Sequence, residues 1–399
     1  MKVLLINVVC GIRSTGRICT DLAEALESED NEVQIAYGRE NVPEKYAHFA
    51  LRTESDNGIK FSALQARFLD NAGFANRAST TRLIERIQAF DPDIIHLHVI
   101  HGYWINIPLL FDYLRGCGKK IIWTFHDCWA FTGHCAYFDY TGCEKWKTGC
   151  FGCPDRKEYP SSILLDRSEV NFREKKKMFT GIPNLLIVTP SEWLAEYVKK
   201  SFLKEYPVKV IHNGIDTSVF QRTQETLSIA ETMREKYGLS EKKVVTAVST
   251  SWNRRKGLSE YLKLADQLGN DYQVVIIGLN KEQIAELPGN VLGIEKTDST
   301  IELAGFYVLS QAYVNASLEE NYPTTNLEAI ACGTPVITYD VGGSGESAAL
   351  YGEIVPRGDI EALAAAVKNT DRLTPRYSYE ECRKILSIDF MTRQYRSVY

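Results

Sequence analysis

Two glutamates eight positions apart, Glu320 and Glu328, have the spacing in this sequence that most clearly predicts chemistry. A strand is expected to end before Glu320 and a helix to begin near Thr324, so both carboxylates would face one cleft. Thr324 and Thr325 would supply capping hydroxyls, and the free N–H groups of a first helical turn bind anions. A carboxylate placed like Glu328 can accept both hydroxyls of a ribose. The alternative is that Glu328 only complements the helix dipole.

The loop after the first predicted strand runs from Gly11 to Gly16 and is short and polar. It lacks the G-x-G-x-x-G pattern of dinucleotide-binding turns, and Arg17 follows Gly16 where a phosphate-binding P-loop has lysine. The loop leads into a helix expected to begin at about Thr15, where backbone N–H groups can hold an anion. An ordinary turn between strand and helix is the alternative.

Four of the ten cysteines, Cys135, Cys143, Cys150 and Cys153, have the spacing C-x7-C-x6-C-x2-C. They lie in an irregular insertion over residues 127–183. Four thiolates form a closed tetrahedral zinc set, and zinc would explain how a loop with little apolar content stays folded. A structural zinc ion is the first interpretation, with disulfides or free thiols as alternatives. Cys128 and His134 are possible substitute ligands.

Short β-branched runs alternate with helical stretches along the 399 residues, which is typical of parallel α/β sheets. The first series of predicted strands is Val3–Val9, Val33–Tyr37, Ile94–His98, Lys120–Phe125 and Leu185–Thr189. The second series is Val208–Ile211, Val244–Ser249, Val274–Ile277, Val291–Ile294, Tyr313–Asn315, Val336–Thr338 and Gly352–Val355. The length and the two series predict two Rossmann-like domains, over residues 1–205 and 206–380. Residues 381–399 are expected to form a helix that packs back on the first domain.

The net charge of −5 gives no reason to expect a nucleic acid partner. No apolar run approaches the roughly 20 residues that a membrane crossing needs, and no basic leader precedes a long apolar core. These observations predict a cytoplasmic protein. A peripheral membrane contact is an option through the lysines of two predicted helices, with a solvated helix face as the alternative. The lysines are Lys175, Lys176, Lys177, Lys199, Lys200 and Lys204.

Aromatic residues cluster in the insertion, in the runs Trp129–Phe131 and Tyr137–Tyr140. They would either stack on sugars or form the insertion's own small core.

Several ordered segments of the sequence together resemble the retaining glycosyltransferases of family 4, which have the GT-B fold. They are His126-Asp127, Pro190-Ser-Glu-Trp-Leu194, Asn213-Gly-Ile-Asp216 with Phe220, Arg255-Lys256-Gly257, the Glu320–Glu328 pair followed by Ala329-Ile-Ala-Cys-Gly-Thr-Pro-Val-Ile337, and Gly342-Gly-Ser-Gly-Glu346. The resemblance covers nearly the whole chain. The start of the sequence, from Asn7 through Gly16-Arg17-Ile18, is similar to bacterial members that build surface polysaccharides, of the colanic acid type.

The resemblance implies a fold with two parallel sheets facing across a cleft, and an activity that needs no catalytic metal. It implies that Glu320 contacts the donor sugar, Glu328 the ribose, and His126 the sugar hydroxyls near the reacting carbon. His96, His98 and His101 lie near the preceding strand end, and none of them is expected to be a ligand. The residues expected to bind the nucleotide sugar are Thr15, Gly16, Asn321, Thr324, Thr325 and Glu328.

Arg255 and Lys256 lie where the family places a phosphate clamp, after a predicted strand. Fixed positive groups there would stabilise the negative charge that grows on a departing phosphate. Two merely solvated cations are a poor alternative, because cations disfavour helix N-termini. Many relatives carry an arginine six positions before the lysine, where this sequence has Thr250, so Arg254 or Arg255 must substitute or the clamp is weaker.

The sequence therefore predicts a glycosyltransferase that moves a sugar from a UDP- or GDP-sugar to a glycan or lipid-linked acceptor in polysaccharide biosynthesis, with retention of configuration. The enzyme alternative is a nucleotide-sugar epimerase or hydrolase on the same fold. The other alternative is a sugar-nucleotide-binding protein without turnover.

Overall fold

The computed structural model describes residues 1–239 and 241–399. The chain forms two compact units, one of residues 1–212 with 392–399, and one of residues 213–391. The boundary thus follows His212 rather than residue 205. The C-terminal segment expected to pack on the first domain is divided, because residues 381–391 belong to the second unit and only residues 392–399 to the first.

The first unit is built on a seven-stranded parallel sheet with the order β3-β2-β1-β4-β5-β6-β7. Its strands are β1 (Lys2–Asn7), β2 (Glu32–Tyr37), β3 (Ala50–Arg52), β4 (Ile94–Leu97), β5 (Lys120–Thr124), β6 (Leu185–Thr189) and β7 (Val208–Val210). The direction of strand order reverses between β1 and β4, and ligands of such sheets bind beyond the carboxyl ends of the strands at that point. The assignment of residues 208–211 to the second series was wrong, because β7 pairs with β6.

The helices of the first unit are α1 (Arg13–Glu27), α2 (Asp56–Leu69), α3 (Arg77–Phe90), α4 (Ile107–Gly116), α5 (Ser168–Phe179) and α6 (Glu192–Lys200). The sequence pattern does not predict β3 or α2. Strand β3 has only three residues, and α2 leaves Phe61 and Leu64 69% and 54% exposed. The apolar residues of α2 therefore do not form the single buried stripe by which most surface helices are recognised in a sequence.

The second unit is built on a six-stranded parallel sheet with the order β10-β9-β8-β11-β12-β13. Its strands are β8 (Lys243–Val248), β9 (Tyr272–Ile277), β10 (Val291–Ile294), β11 (Ala312–Asn315), β12 (Val336–Tyr339) and β13 (Gly352–Val355). Its helices are α7 (Gln224–Lys236), α8 (Leu258–Leu268), α9 (Lys281–Ala285), α10 (Thr300–Leu309), α11 (Thr324–Ala331), α12 (Ser344–Ala348), α13 (Ile360–Lys368) and α14 (Tyr379–Leu386). The chain leaves this unit within α15 (Ile388–Arg396). The strand order reverses between β8 and β11.

Successive residues of the central strands in the second unit enter two different apolar cores. Val244 packs in one core and Val245 in the other, and Tyr313 and Val314 divide in the same way. Both faces of the sheet are therefore covered by helices, which explains why its strands read as continuous apolar runs in the sequence.

Residues 392–399 contact the first sheet through the buried Tyr395 and the half-buried Tyr399. The Tyr395 hydroxyl lies 3.1 Å from Thr124 Oγ1, and the Tyr399 hydroxyl lies 2.7 Å from His96 Nδ1. Arg396 forms a 2.7 Å ion pair with Glu29. The last eight residues are thus an integral part of the first unit.

The insertion has an aromatic core of its own. Phe131 and Phe138 are buried, and both rings pack against the buried ring of Trp146. Trp129 is buried as well. The rings of Phe131, Phe138 and Trp146 therefore form a small core that stabilises the insertion, whereas Tyr140 of the second aromatic run is 38% exposed.

Lys175 is buried and does not belong to the lysine face suggested for a membrane contact. Its Nζ donates to the carbonyl oxygens of Trp129 (2.7 Å) and Thr132 (3.0 Å) and lies over the Trp129 ring. The other lysines of that face are exposed. In the described residues, no helix is both long and apolar enough to cross a membrane.

Candidate active site

Glu320, Lys256 and Arg255 form an ion-pair cluster in the second unit. Lys256 Nζ donates to Glu320 Oε1, and Arg255 Nη1 lies 3.7 Å from Glu320 Oε2. The cations follow β8 and the carboxylate follows β11, the two strands at which the strand order reverses. The cluster therefore lies at the edge where open α/β sheets bind their ligands.

The backbone around Gly257 positions the two cations. Gly257 has φ +68°, and a Cβ there would lie 2.2 Å from the carbonyl oxygen of Ala316. The N–H of Leu318 donates to the Arg255 carbonyl at 2.8 Å, and the Arg255 guanidinium donates to the Glu319 carbonyl at 3.0 Å. Only glycine allows the turn after β8 to approach the segment after β11 so closely.

Burial and charge act in opposite directions on Glu320. Burial alone would raise the pKa of its carboxyl, but Lys256 and Arg255 outweigh burial and hold that pKa below its usual value. Burial lowers the pKa of Lys256, and the neighbouring Glu320 opposes that change. With Glu320 ionised and both cations charged, the three side chains carry a net charge of +1. The cluster can therefore attract an anion such as a phosphate.

Glu328 is 3% exposed and accepts a 2.9 Å hydrogen bond from the Tyr307 hydroxyl. It lies on α11, one turn after the N-terminus. The predicted capping by Thr324 and Thr325 was wrong: Pro323 occupies the N-cap position, and no side chain caps the helix. Thr325 instead hydrogen-bonds the buried Tyr313.

Asn321 is 4% exposed, in the segment between Glu320 and α11. A close backbone contact holds that segment: a Cβ at Gly342, which has φ +55°, would lie 1.7 Å from the Glu320 carbonyl oxygen. Asn326 Nδ2 also donates to Ser347 Oγ at 2.9 Å, which ties α11 to α12. The glycine-rich segment from Gly342 therefore supports the backbone that carries Glu320 and Asn321.

His126 follows β5 in the first unit and is half-buried. Its Nε2 lies 3.1 Å from Nδ1 of the buried His98, which follows β4. Burial lowers the pKa of His126 to about 4. The imidazole is therefore neutral at pH 7. It can form hydrogen bonds with hydroxyl groups without bringing a positive charge to the site.

A second histidine lies in the same pocket as His126. His101 Nε2 lies 2.9 Å from Asp127 Oδ2, and His101 Nδ1 lies 3.0 Å from the Tyr159 hydroxyl. His98, His101, His126 and Asp127 all line this pocket. His126 was predicted from the sequence as a site residue, whereas none of the other histidines was expected to be a ligand. His98 and His126 each follow one of the two adjacent strands β4 and β5, and this placement is the signal that could have grouped them.

Thr15 and Gly16 lie in α1, which begins at Arg13, two residues earlier than expected. The N–H of Gly11 donates to the Gly16 carbonyl at 3.1 Å. A Cβ at Gly16 would lie 3.2 Å from the Gly11 nitrogen and 3.0 Å from a Val9 methyl group. The loop after β1 is thus folded tightly against the start of the helix.

The four clustered cysteines line one pocket of the insertion. All ten cysteines are free thiols in the structure. Over residues 1–239 and 241–399, no three His, Cys, Asp or Glu side chains already have the arrangement of a metal site.

Two parallel α/β units, each with polar side chains at its strand-order reversal, define the class of GT-B glycosyltransferases. The family model described as Glycosyltransferase Family 4 matches residues 15–219, and the one described as Glycosyl transferases group 1 matches residues 229–372. The first match spans more than half of the chain. The protein therefore belongs to this family of glycosyltransferases.

Among similar proteins, one from Escherichia coli (strain K12) is named as the colanic acid biosynthesis glycosyl transferase WcaC. It is 27% identical over 357 residues, which cover 84% of this chain and 82% of WcaC. The O-antigen chain mannosyltransferase RfbU of Salmonella typhimurium (strain LT2) is 27% identical over 192 residues, covering 44% of this chain and 49% of RfbU.

Solved structures have the same fold at low sequence identity. Sucrose-phosphate synthase from Thermosynechococcus elongatus has a TM-score of 0.70 at 16% identity and covers 100% of this chain and 98% of its own. HepE from Anabaena, in complex with UDP, has a TM-score of 0.68 at 14% identity and covers 100% and 99%. These similarities establish the GT-B fold.

Proposed function

We propose that this glycosyltransferase transfers a hexosyl group from a nucleoside-diphosphate sugar to a glycan or lipid-linked acceptor, with retention of configuration and without a catalytic metal. The observation that carries this proposal is the cluster of Glu320, Lys256 and Arg255. It combines a buried carboxylate with a net positive charge at the ligand-binding edge of the second sheet. HepE, which has the same fold, has been solved with UDP and with UDP-glucose.

The chemistry follows from where charge develops. The bond between the anomeric carbon and the diphosphate oxygen breaks, and its electron pair remains on the phosphate. Positive charge then spreads over the anomeric carbon and ring oxygen, as in glycoside hydrolysis. Lys256 and Arg255 stabilise the phosphate charge, and fixed cations of this kind contribute most in a partly buried site. Glu320 holds the two cations in place and contacts the donor sugar.

The acceptor oxygen then bonds to the anomeric carbon on the face that the phosphate leaves, and its proton passes to the departing phosphate oxygen. Glu328 accepts the ribose hydroxyls beside the first turn of α11, and the neutral His126 hydrogen-bonds a sugar hydroxyl. Thr15 and Gly16 at the start of α1 lie near the diphosphate and the acceptor. No enzyme nucleophile is needed in this route.

The names of WcaC and RfbU support a role in polysaccharide biosynthesis, with a growing glycan as acceptor. A UDP- or GDP-sugar is the proposed donor, used on the cytoplasmic side of the membrane.

A lipid-linked acceptor requires contact with a membrane surface, and because Lys175 is buried we propose a different surface for that contact. Phe61 and Leu64 on α2, together with Ile163 and Leu164, are each more than half exposed. The N–H of Ile163 donates to the Arg67 carbonyl at 2.7 Å, which joins the two segments. Exposed apolar side chains beside Lys60 and Arg67 suit an anionic lipid surface.

Co-sedimentation with phosphatidylglycerol vesicles tests this contact. The double variant Phe61→Ser/Ile163→Ser is expected to remain in the supernatant, whereas Tyr377→Ser, a control at an exposed aromatic residue of the second unit, should sediment like the wild type. Equal sedimentation of all three proteins would place the membrane contact elsewhere.

A panel of nucleotide sugars, with and without glycan acceptors, tests the transfer reaction. Release of nucleoside diphosphate that an acceptor stimulates is the expected result. Release that no acceptor stimulates would indicate a hydrolase, and binding without release a non-catalytic binding protein. Glu328→Ala should weaken donor binding, while Glu361→Ala on the exposed first turn of α13 should not. Unchanged donor affinity in Glu328→Ala would refute the ribose assignment.

A further inference from the structure

We propose that the insertion of the first unit binds one structural Zn²⁺ ion through the thiolates of Cys135, Cys143, Cys150 and Cys153. All four side chains line a single pocket, although up to 18 positions separate them in sequence. The thiols of Cys135 and Cys153 are hydrogen-bonded to each other. The N–H of Gly133 donates to Cys150 Sγ at 3.2 Å, a contact that would stabilise a thiolate.

A buried lysine next to these thiols needs a negative charge. Lys175 is 2% exposed, and its Nζ donates to two neutral carbonyl groups. Within the described part of the chain, Lys175 has no carboxylate in ion-pair contact. Its charge interacts most strongly with the thiols of Cys135 and Cys150, and also with the more distant carboxylates of Asp70 and Asp127. A buried cation is unfavourable unless anionic charge lies near it, and thiolates held by zinc would add such charge.

A buried histidine provides an independent indication. The His134 side chain has no exposed surface and lines the same pocket. Its Nδ1 lies 2.5 Å from Asp70 Oδ1, while its buried Nε2 has no hydrogen-bond partner among the described residues. A buried polar nitrogen left unpaired is costly. A nearby zinc thiolate would give Nε2–H an acceptor, and Asp70 would hold the imidazole in that orientation.

The loop that carries the last three thiols has room to close around a metal ion. Cys143, Cys150 and Cys153 are only half-buried, and the segment between them contains no α-helix or strand. A Cβ added at Gly142 or Gly149 would meet no atom within 4 Å. Because no three ligands already have metal-site geometry, zinc binding must draw these sulfurs towards Cys135.

Two disulfides are the competing chemistry for four cysteines. They would use the same sulfurs but leave no thiolate for Lys175 and no anionic acceptor for His134. The charge distribution around the pocket therefore favours zinc.

The test is zinc content and thiol accessibility of the full chain purified under reducing conditions, with zinc measured by mass spectrometry. We expect one zinc per chain, restored by ZnCl₂ after removal with a chelator, and four fewer alkylated thiols in the zinc-loaded protein. Cys143→Ser and Cys150→Ser should each lose most of the zinc. Cys117→Ser, at a half-buried thiol outside the insertion, should keep it.

If a cysteine variant does not fold, the wild-type protein loaded with Co²⁺ in place of zinc still tests the proposal. A tetrahedral thiolate site gives visible Co²⁺ absorption with sulfur-to-metal charge transfer. The proposal would be overturned if the reduced wild-type protein took up no metal, or if the four cysteines were found in two disulfides. It would also be overturned if Cys143→Ser kept its full zinc content while His134→Gln lost zinc. Because the readout is metal content, failure of the sugar-transfer proposal would leave this result unaffected.

Discussion

Lys256 and Glu320, 64 positions apart in sequence, form a direct ion pair at the carboxyl edge of the second sheet. Both side chains are largely withdrawn from solvent, with exposed fractions of 21% and 9%. The pair links the two loops at which the strand order reverses, so the geometry of the sheet fixes where the charges lie.

Replacing Lys256 by methionine should lower sugar transfer by about 10²- to 10³-fold in kcat, the usual effect of removing one fixed group that stabilises developing negative charge. Steady-state kinetics with the best donor measure this effect. Lys281→Met, an exposed lysine at the start of α9, is the matched control. A Lys256→Met enzyme with wild-type kcat would contradict the phosphate clamp.

Gly257→Ala tests the close approach that positions the clamp. The substitution should cost about 1–2 kcal/mol for the left-handed backbone and about 1–3 kcal/mol more for the contact with the Ala316 carbonyl. Gly238→Ala is the control in the same unit, because Gly238 has φ +64° and open space around its Cβ position. Urea unfolding measures both variants, and equal losses would show that the close contact carries no energy.

Tyr307→Phe removes the hydrogen bond that orients Glu328. Donor binding should weaken by about twofold to tenfold, because the Glu328 carboxylate loses one of the contacts that order it before the donor binds. Isothermal titration with nucleoside diphosphate measures the change. Tyr351→Phe, at a half-buried tyrosine of the same unit, should bind normally. A Tyr307→Phe protein with tighter binding would show that the tyrosine competes with the ribose instead.

The first unit should lose stability in acid because of its buried histidines. Burial lowers the pKa of His96 from 6.5 to about 3, so between those pH values the unfolded chain binds a proton that the folded chain does not. Stability attributable to His96 should therefore fall by on the order of 1 kcal/mol per pH unit as pH drops below 6.5.

Urea unfolding between pH 7 and pH 4 measures that slope. His96→Gln should make it shallower, while His48→Gln, at an exposed histidine, should not change it. An unchanged slope in His96→Gln would mean that another group dominates acid unfolding.

Lys175→Met should destabilise the insertion strongly, since the carbonyl groups of Trp129 and Thr132 lose their shared donor. Each buried unpaired carbonyl costs about 1–3 kcal/mol. Lys176→Met, on the exposed side of the same helix, should lie within about 0.5 kcal/mol of the wild type. Thermal unfolding of the two variants compares them, and similar melting temperatures would argue against a structural role for Lys175.

Much of the fold was predictable because parallel strands buried on both faces are continuous apolar runs in sequence. Apart from the missed β3 and the misassigned β7, the two series of strands were identified correctly, as was the glycosyltransferase family. The boundary was misplaced because β7 has the same apolar composition as a strand of the second sheet, and only its pairing with β6 assigns it to the first.

Site residues that directly follow a strand could be predicted from the sequence. Site residues whose role depends on contacts with distant parts of the chain could not. Glu320 and Lys256 follow strand ends, and the structure brings them together. The prediction that Thr324 and Thr325 cap α11 was wrong because Pro323 occupies the N-cap position. Tyr307 and His98 were missed because their contacts, with Glu328 and His126, join segments that are distant in sequence. Lys175 has the sequence pattern of a solvated helix, and only the aromatic core of the insertion buries it.

The position of residues 392–399 in the chain affects when the first unit can complete its fold during synthesis. The hydroxyls of Tyr395 and Tyr399, which contact Thr124 and His96, reach the first unit only after all of the second unit has been translated. At roughly 5–20 residues per second, the ribosome needs on the order of 10–40 seconds for the intervening residues. During that interval the first sheet exists without its final packing segment, whereas the second unit is continuous in sequence and can complete its fold first.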